Sequence, residues 1–246
     1  MPAKAIFQRL AMIAGSDTLE ALGQTTVMVF GVGGVGSWCA EALVRSGIGK
    51  IEIVDFDTIC ASNVNRQLQA TSLNIGRVKV DVMKERLLEI NPDCNVSAFA
   101  KAFSPETAGE FNIAKADYVI DAIDSLTNKL DLIEAACASG AKFFSSMGMA
   151  RKTDPTRIKT ADIWKTQGCP LARLVRQGLR KRGFKGNFTA VYGEECLDNI
   201  IVDNFEDGGK TPNGSIVTVT ATAGMILASL VLRSVFGDCN SGDGSG

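Results

Sequence analysis

Residues 26–38 read Thr-Val-Met-Val-Phe-Gly-Val-Gly-Gly-Val-Gly-Ser-Trp, and this stretch dictates the architecture of the chain around it. Residues 26–30 form an apolar, partly β-branched run of strand length that stops abruptly at a glycine. A helical pattern follows over residues 37–46, and Gly47 can end it. Strand, glycine turn and helix in that order make a phosphate-binding unit. Gly31 and Gly33 permit a tight turn and close approach of the backbone, Gly36 lets the helix lie on the sheet, and the helix N-terminus supplies N–H donors. Asp55 follows Gly36 by 19 residues, at the end of a second strand, where a carboxylate can accept ribose hydroxyls.

Further strand-like runs lie at residues 50–54, 96–99, 118–120 and 142–145, with helical patterns at 79–90, 105–111 and 127–138 between them. Such alternation predicts an α/β fold, a doubly wound, mostly parallel, Rossmann-like sheet. A chain of 246 residues suits one domain, here over residues 1–236 with a basic insertion at about 151–190. Residues 237–246 are low in complexity and expected to be disordered. Residues 216–236 are apolar enough to raise the question of a membrane span, but their threonines and serines favour a buried core segment.

The segment after Asp55 separates the possible nucleotides. Asp57, Asn63, Asn65, Arg66 and Gln67 lead to Lys79 at a helix start. A guanidinium and an ammonium near a glycine loop suit a triphosphate whose pyrophosphate must leave, because developing charge needs fixed cations. A dinucleotide redox protein has no need of them. Asp121 and Asp124, with Ser125 beside them, close another strand whose carboxyl end opens on the same crevice. A hard oxygen donor there suits Mg²⁺ on phosphates, and Asp124 is the better candidate; Asp121 is equally readable as a structural cap.

Charge is nearly balanced overall, with 26 Lys and Arg against 27 Asp and Glu, but it is unevenly placed. Residues 151–185 hold eleven basic side chains and two acidic ones, Asp154 and Asp162, a net of +9 against −10 for the remainder. Arg173, Arg176 and Arg180 recur at helical spacing over residues 171–182, extended by Lys181, Arg182 and Lys185. A surface of that kind meets a polyanion. The chain has no His, so proton transfer falls to carboxylates, amines, hydroxyls, thiols or the substrate. Its seven Cys are scattered and nowhere spaced Cys-x-x-Cys, which supports neither a disulfide framework nor a zinc site. No secretory leader pattern opens the sequence, so a cytoplasmic location is expected.

Taken together, the glycine loop, Asp55-Phe56-Asp57, Asn65-Arg66-Gln67, Lys79 and the Asp121/Asp124 pair resemble the adenylation core of the ubiquitin-, thiamine- and molybdopterin-activating enzymes. Within that superfamily the chain is similar to the tRNA threonylcarbamoyladenosine dehydratases. Gly34-Val35-Gly36-Ser37-Trp38 with Ser46-Gly47-Ile48-Gly49, Asp121-Ala122-Ile123-Asp124-Ser125, and Asp154-Pro155-Thr156 leading to Cys169-Pro170-Leu171-Ala172 carry that similarity.

The resemblance implies that Gly34 and Asp55 contact the nucleotide and that Asn65 and Arg66 lie over the phosphates. It makes Lys79 the phosphate lysine, Asp124 the Mg²⁺ and ATP aspartate, and Arg9 a residue that crosses a two-fold homodimer to the partner's nucleotide. The implied reaction is ATP-dependent cyclisation of threonylcarbamoyladenosine beside the tRNA anticodon, through an acyl adenylate that releases pyrophosphate and then AMP. The nucleophile belongs to the substrate, so no enzyme thiol is required. The absence of paired Cys-x-x-Cys motifs argues against a ubiquitin-like partner, and no clear cysteine precedes the last apolar segment. An adenylating activator of a ubiquitin-like sulfur carrier stays open as an alternative, as does a sulfur-transfer protein partner.

Overall fold

The structure, a computed structural model, describes residues 5–195, Leu197 and residues 214–241. Cys196, one of the scattered thiols, and residues 242–246 of the expected disordered tail lie outside the described residues. Two short helices come first, α1 (Gln8–Ala14) and α2 (Ser16–Gln24). Alternation then begins with β1 (Thr26–Phe30), α3 (Gly36–Arg45), β2 (Lys50–Val54), α4 (Lys79–Ile90) and β3 (Asn95–Phe99). It continues through β4 (Tyr118–Asp121), α5 (Leu126–Ser139), β5 (Lys142–Ser146), β6 (Ile158–Asp162), α6 (Pro170–Lys181), β7 (Thr189–Gly193) and α7 (Val217–Ser241).

Seven strands form one sheet in the order β3-β2-β1-β4-β5-β7-β6. Every pairing is parallel except that of β6 with β7, so the sheet is mostly parallel as the alternation predicts. β1 is almost wholly buried, from Val27 to Phe30, between one apolar layer built on α3, α4 and α7 and another built on α5 and α6. Strands covered on both faces read as continuous apolar runs rather than alternations, which is why β1 and β4 stand out in the sequence.

Three expectations need correction. Residues 105–111 form no α-helix but a single 3₁₀ turn, Ala108–Glu110, because Phe103 and Phe111 at its two ends are both drawn into the core beside Phe30. The tail does not become irregular at Gly237, since α7 continues to Ser241. The basic stretch also contributes β6 to the sheet edge and α6 to its face and leads into β7, elements that its charge concealed. α7 is long and apolar enough to span a membrane by length and composition. In this fold Val219, Ala223, Leu227, Val231 and Val235 line one side of it and are buried in the core against α3.

Candidate active site

The strand order reverses direction between β1 and β4, and an open parallel sheet binds its ligands at that point, outside the carboxyl ends. A cavity of about 520 Å³ opens there. Gly31, Gly33 and Gly34 from the turn after β1, Asp55 and Asp57 after β2, and Asp124 after β4 all line it. Gly31 has φ +88°, and a β-carbon on it would lie 2.7 Å from the carbonyl oxygen of Ala122, so the turn admits only glycine. Gly36 does not line the cavity; a β-carbon there would stand 1.8 Å from the carbonyl oxygen of Gly31, which fixes its role as a packing position.

Asp55 braces the turn. Its Oδ2 accepts from the N–H of Val32 at 2.8 Å, and its Oδ1 accepts from the N–H of Asp57 at 3.0 Å. Burial pushes its carboxyl above the ordinary aspartate value, while Lys79 and the two N–H groups draw it back, with a net upward shift. Lys79, buried in the first turn of α4, donates from Nζ to Asp57 Oδ2 at 2.7 Å and lies 4.0 Å from Asp55. Its ammonium is therefore held at the cavity wall by carboxylates, ready to face an anion.

Arg66 lies over the glycine turn, with its side-chain carbons 3.2 and 3.3 Å from where a β-carbon on Gly34 would be. The indole N–H of Trp38 donates to the Arg66 carbonyl at 3.0 Å, and Arg66 Nη1 donates to the carbonyl of Ser62 and to Asn65 Oδ1. Gln67 reaches the cavity as a buried carboxamide whose oxygen has no partner, an acceptor suited to a ligand hydroxyl. Asn63 and Asn65 do not line the cavity. Asn63 is buried and accepts from the N–H of Cys60 at 3.1 Å, and Asn65 donates to the carbonyl of Ser215, which leads into α7. Ser125 is the residue before α5 and does not reach the cavity either.

Asp121 and Asp124, at the two ends of one turn, are separated in role. Asp121 is fully buried; Lys129 Nζ and Ser145 Oγ each donate to it at 2.6 Å. Asp124 is exposed on the cavity wall and makes no hydrogen bond or ion pair with another described residue. Arg9 sits on α1, whose approach lies beside Gly47 at the opposite end of β2 from Asp55, so it is not part of this cavity.

Residues the sequence left unassigned complete the walls. Phe103 packs edge-on to Phe30 at 5.3 Å between ring centroids and gives an apolar surface suited to a flat heterocycle. On the other side, Ser146 at the end of β5, residues 147–152 after it, and Cys169, Pro170 and Leu171 at the start of α6 extend the cavity away from the glycine turn. Arg151 adopts φ +59°, a strained backbone for a non-glycine residue. It is held there by bonds between its N–H and the Gly214 carbonyl, between its carbonyl and the Leu197 N–H, and from its guanidinium to the Leu197 carbonyl.

The basic helix is less uniform than its sequence. Arg182 pairs with Asp131 at 2.6 Å and Glu134 at 2.8 Å on α5. Arg176 donates to Thr166 Oγ1, and the Arg180 guanidinium lies 5.4 Å from the centre of the Trp164 ring. Arg173, Lys181 and Lys185 are exposed and make no side-chain bond to another described residue.

A glycine turn flanked by a lysine, an arginine and carboxylates suits a phosphorylated nucleotide, and the cavity continues from it toward the end of β5 and the start of α6. The ThiF family model matches residues 7–243 of the chain. The tRNA threonylcarbamoyladenosine dehydratase of Bacillus subtilis (strain 168) is 41% identical over 241 residues, covering 94% of this chain and 95% of that protein. The dehydratase of the same name from Haemophilus influenzae (strain ATCC 51907 / DSM 11121 / KW20 / Rd) is 45% identical over 231 residues, 88% of this chain and 87% of that one. Among solved structures, the Escherichia coli tRNA N6-threonylcarbamoyladenosine dehydratase in complex with ATP superposes with a TM-score of 0.87 at 33% identity, covering 98% of this chain and 99% of that one. Matched along nearly its whole length in sequence and in fold, the chain belongs to the ThiF family, among its tRNA threonylcarbamoyladenosine dehydratases.

Proposed function

We propose that the chain is an ATP-dependent tRNA threonylcarbamoyladenosine dehydratase. The observation that carries this reading is the full-length likeness to dehydratases, which includes the basic stretch as well as the nucleotide cradle. An activator of a sulfur-carrier protein would share the cradle but has no use for a basic helix.

In this reading the substrate's threonyl carboxylate attacks the α-phosphorus of ATP, pyrophosphate leaves, and the neighbouring carbamoyl group captures the acyl adenylate, closing the ring and releasing AMP. Gly31, Gly33 and Gly34 bring backbone to the phosphates, Asp55 takes the ribose, and Arg66 and Lys79 face the charge that develops on pyrophosphate. Because both reacting groups sit on one nucleoside, proximity supplies much of the acceleration and no thiol is needed.

Asp124 suits Mg²⁺: it is a hard oxygen donor on the cavity wall that, among the described residues, has no partner, and no cluster of three or more His, Cys, Asp or Glu among those residues forms a metal cage. A lone carboxylate sharing the ion with phosphates and water is the usual arrangement for this metal, which would neutralise phosphate charge. A homodimer agrees with the surface. Met12 and Ile13 of α1 are 79% and 84% exposed and Leu73 is 95% exposed, and Arg9, which does not line its own chain's cavity, would meet the nucleotide of a two-fold partner. The exposed cations of α6 form the tRNA face, and a cytoplasmic setting follows from such a substrate. Any sulfur-transfer partner would have to use a surface other than a zinc module, since the chain carries no Cys-x-x-Cys.

Incubation of the protein with ATP and tRNA containing threonylcarbamoyladenosine, followed by nucleoside mass spectrometry, tests the reading. The expected result is loss of one water from that nucleoside with AMP formed. Transfer of AMP to a small protein's C-terminus, with the nucleoside unchanged, would overturn it.

A further inference from the structure

The part of the cavity that follows β5 contains a cation with no counter-ion among the described residues. Lys152 lines the cavity and is only 4% exposed. Its ammonium donates to the backbone carbonyl of Glu195, and it forms no ion pair with a carboxylate of another described residue. The carboxylate of Glu195 is engaged elsewhere. Glu195 accepts from the N–H of Asp154 at 2.9 Å and from the N–H and hydroxyl of Thr153 at 2.8 and 3.0 Å. Those bonds hold the Glu195 carboxyl below its usual range, so it stays ionised and committed to the 153–154 turn.

A buried ammonium with no anion among the described residues is costly, and an anionic ligand in the cavity would supply that charge. The lysine is also placed with care. Its Cδ and Cε pass 2.7 Å from where a β-carbon on Gly193 would be, so only glycine at the end of β7 leaves room for the stem.

Position in the sheet indicates which anion. Lys79 follows β2 and Lys152 follows β5, and three strand intervals separate those strands, roughly 14 Å at the usual spacing. The glycine turn after β1 and Asp124 after β4 lie between them. In an in-line displacement the nucleophile and the leaving pyrophosphate occupy opposite sides of the α-phosphorus. A cation on the far side from Lys79 therefore faces the incoming group.

We propose that Lys152 receives the threonyl carboxylate of the modified adenosine and presents it to the α-phosphorus. The inference rests on the dehydratase reading and adds to it the residue that recognises the acid. In the step it assists, a carboxylate oxygen bonds to the α-phosphorus, the bond from that phosphorus to the bridging oxygen breaks, and pyrophosphate departs with the electron pair. Lys152 neither gains nor loses a proton. Its contribution is to offset repulsion between two anions that must meet.

The test compares binding of two anticodon-arm RNAs, one carrying threonylcarbamoyladenosine and one carrying plain adenosine, to the full chain with AMP present. The parent should prefer the modified RNA by about tenfold or more, the worth of a charge-assisted hydrogen bond. Lys152→Met should bring that ratio close to one and lower turnover by on the order of 10²-fold, with ATP affinity held within about twofold. Gly193→Ala keeps the lysine but displaces its stem and should lower the ratio likewise, so the inference does not depend on one variant folding. A lysine that merely clamps Glu195 would change stability and leave the ratio alone. The proposal is overturned by a parent ratio of one, or by either variant binding ATP normally while keeping the parent's ratio and turnover. A parent that removes no water from the modified RNA would instead sink the dehydratase reading itself.

Discussion

Lys129 meets Asp121 at 2.6 Å with both side chains fully buried, at the foot of the turn that carries Asp124 into the cavity. The surrounding polar groups satisfy the pair. Lys129 also donates to the Ser146 carbonyl at 3.0 Å, Ser145 donates to Asp121 Oδ2, and the N–H of Ile123 donates to Oδ1. The pair therefore ties β4, β5 and α5 together beneath the site. Lys129→Met would strand a buried carboxylate, and urea denaturation should register a loss of about 3–5 kcal/mol, the usual result of removing one partner from a buried pair. A loss below about 1 kcal/mol, the range of exposed pairs, would show that water reaches the pair.

Two neighbouring glycines should respond differently to the same methyl group. Gly36→Ala places a β-carbon 1.8 Å from the Gly31 carbonyl oxygen, which neither backbone can relieve, so the variant should be insoluble or grossly destabilised. Gly34→Ala meets the side-chain carbons of Arg66 and Thr220 at 3.2–3.3 Å, which can give way. That variant should fold with nearly the parental melting temperature and lose ATP affinity as Arg66 is pushed off the turn. Equal stability of the two variants would contradict the geometry.

The parts of the site that sequence reveals are those whose function is local. The glycine turn, Asp55, Lys79 and Asp124 each follow a strand or open a helix, and in a parallel sheet those ends converge on one crevice whatever the rest of the chain does. Lys152 could not be singled out in that way. It stood in the sequence as one of eleven basic residues, and its isolation depends on β7 bringing Gly193 and Glu195 beside it from roughly forty residues away. β6 was hidden for a related reason: only the edge of the sheet accepts a strand as polar as Ile-Lys-Thr-Ala-Asp, and its pairing with β7 supplies what its composition lacks. Asn63 shows the converse, a residue in a suggestive run that turns out to close its own turn through Cys60.

Asp55 gives the site a pH dependence. Its carboxyl is raised from 3.8, chiefly by burial, and in the proposed role only the ionised form would accept both ribose hydroxyls. ATP affinity should therefore fall on acidification at a higher pH than an ordinary aspartate would dictate. The stability linkage has the opposite sense. A raised native pKa favours the fold below the unfolded value and loses that contribution as pH rises through the native one. Calorimetric titration of ATP across the acid range, with Asp55→Asn as reference, checks this; an identical acid limb in both proteins would assign the effect elsewhere.

If Arg66 and Lys79 face the phosphates as proposed, they should affect turnover more than binding. Removal of a preorganised donor from a developing charge costs on the order of 10²–10³ in rate, so Arg66→Ala and Lys79→Ala should each lower turnover by that much while ATP binds several times more weakly at most. Lys79→Ala also leaves Asp57 without its 2.7 Å partner, facing the phosphates, and should be the more severe. Single-turnover assays on modified tRNA, paired with ATP titrations, separate the two effects. Near-normal rates in both variants would remove these residues from the chemistry.

On α6, the structure divides a row of charges that the sequence shows as continuous. Arg182 is neutralised by Asp131 and Glu134, and Arg180 lies against Trp164, whereas Arg173 and Lys181 extend from the helix with no bond to another described residue. Partnerless cations are the ones free to release condensed counter-ions from a nucleic acid. Arg173→Glu combined with Lys181→Glu should therefore weaken tRNA binding and reduce the slope of log affinity against log salt by roughly one for each phosphate no longer neutralised. ATP affinity should hold within about twofold, since the glycine turn is on another element. Arg182→Glu makes the contrasting case. It sets three carboxylates together where α5 packs on α6, so it should lower the melting temperature and leave the salt slope nearly intact. A double variant with the parent's salt slope, or an Arg182→Glu protein that loses tRNA binding without losing stability, would place the RNA surface elsewhere.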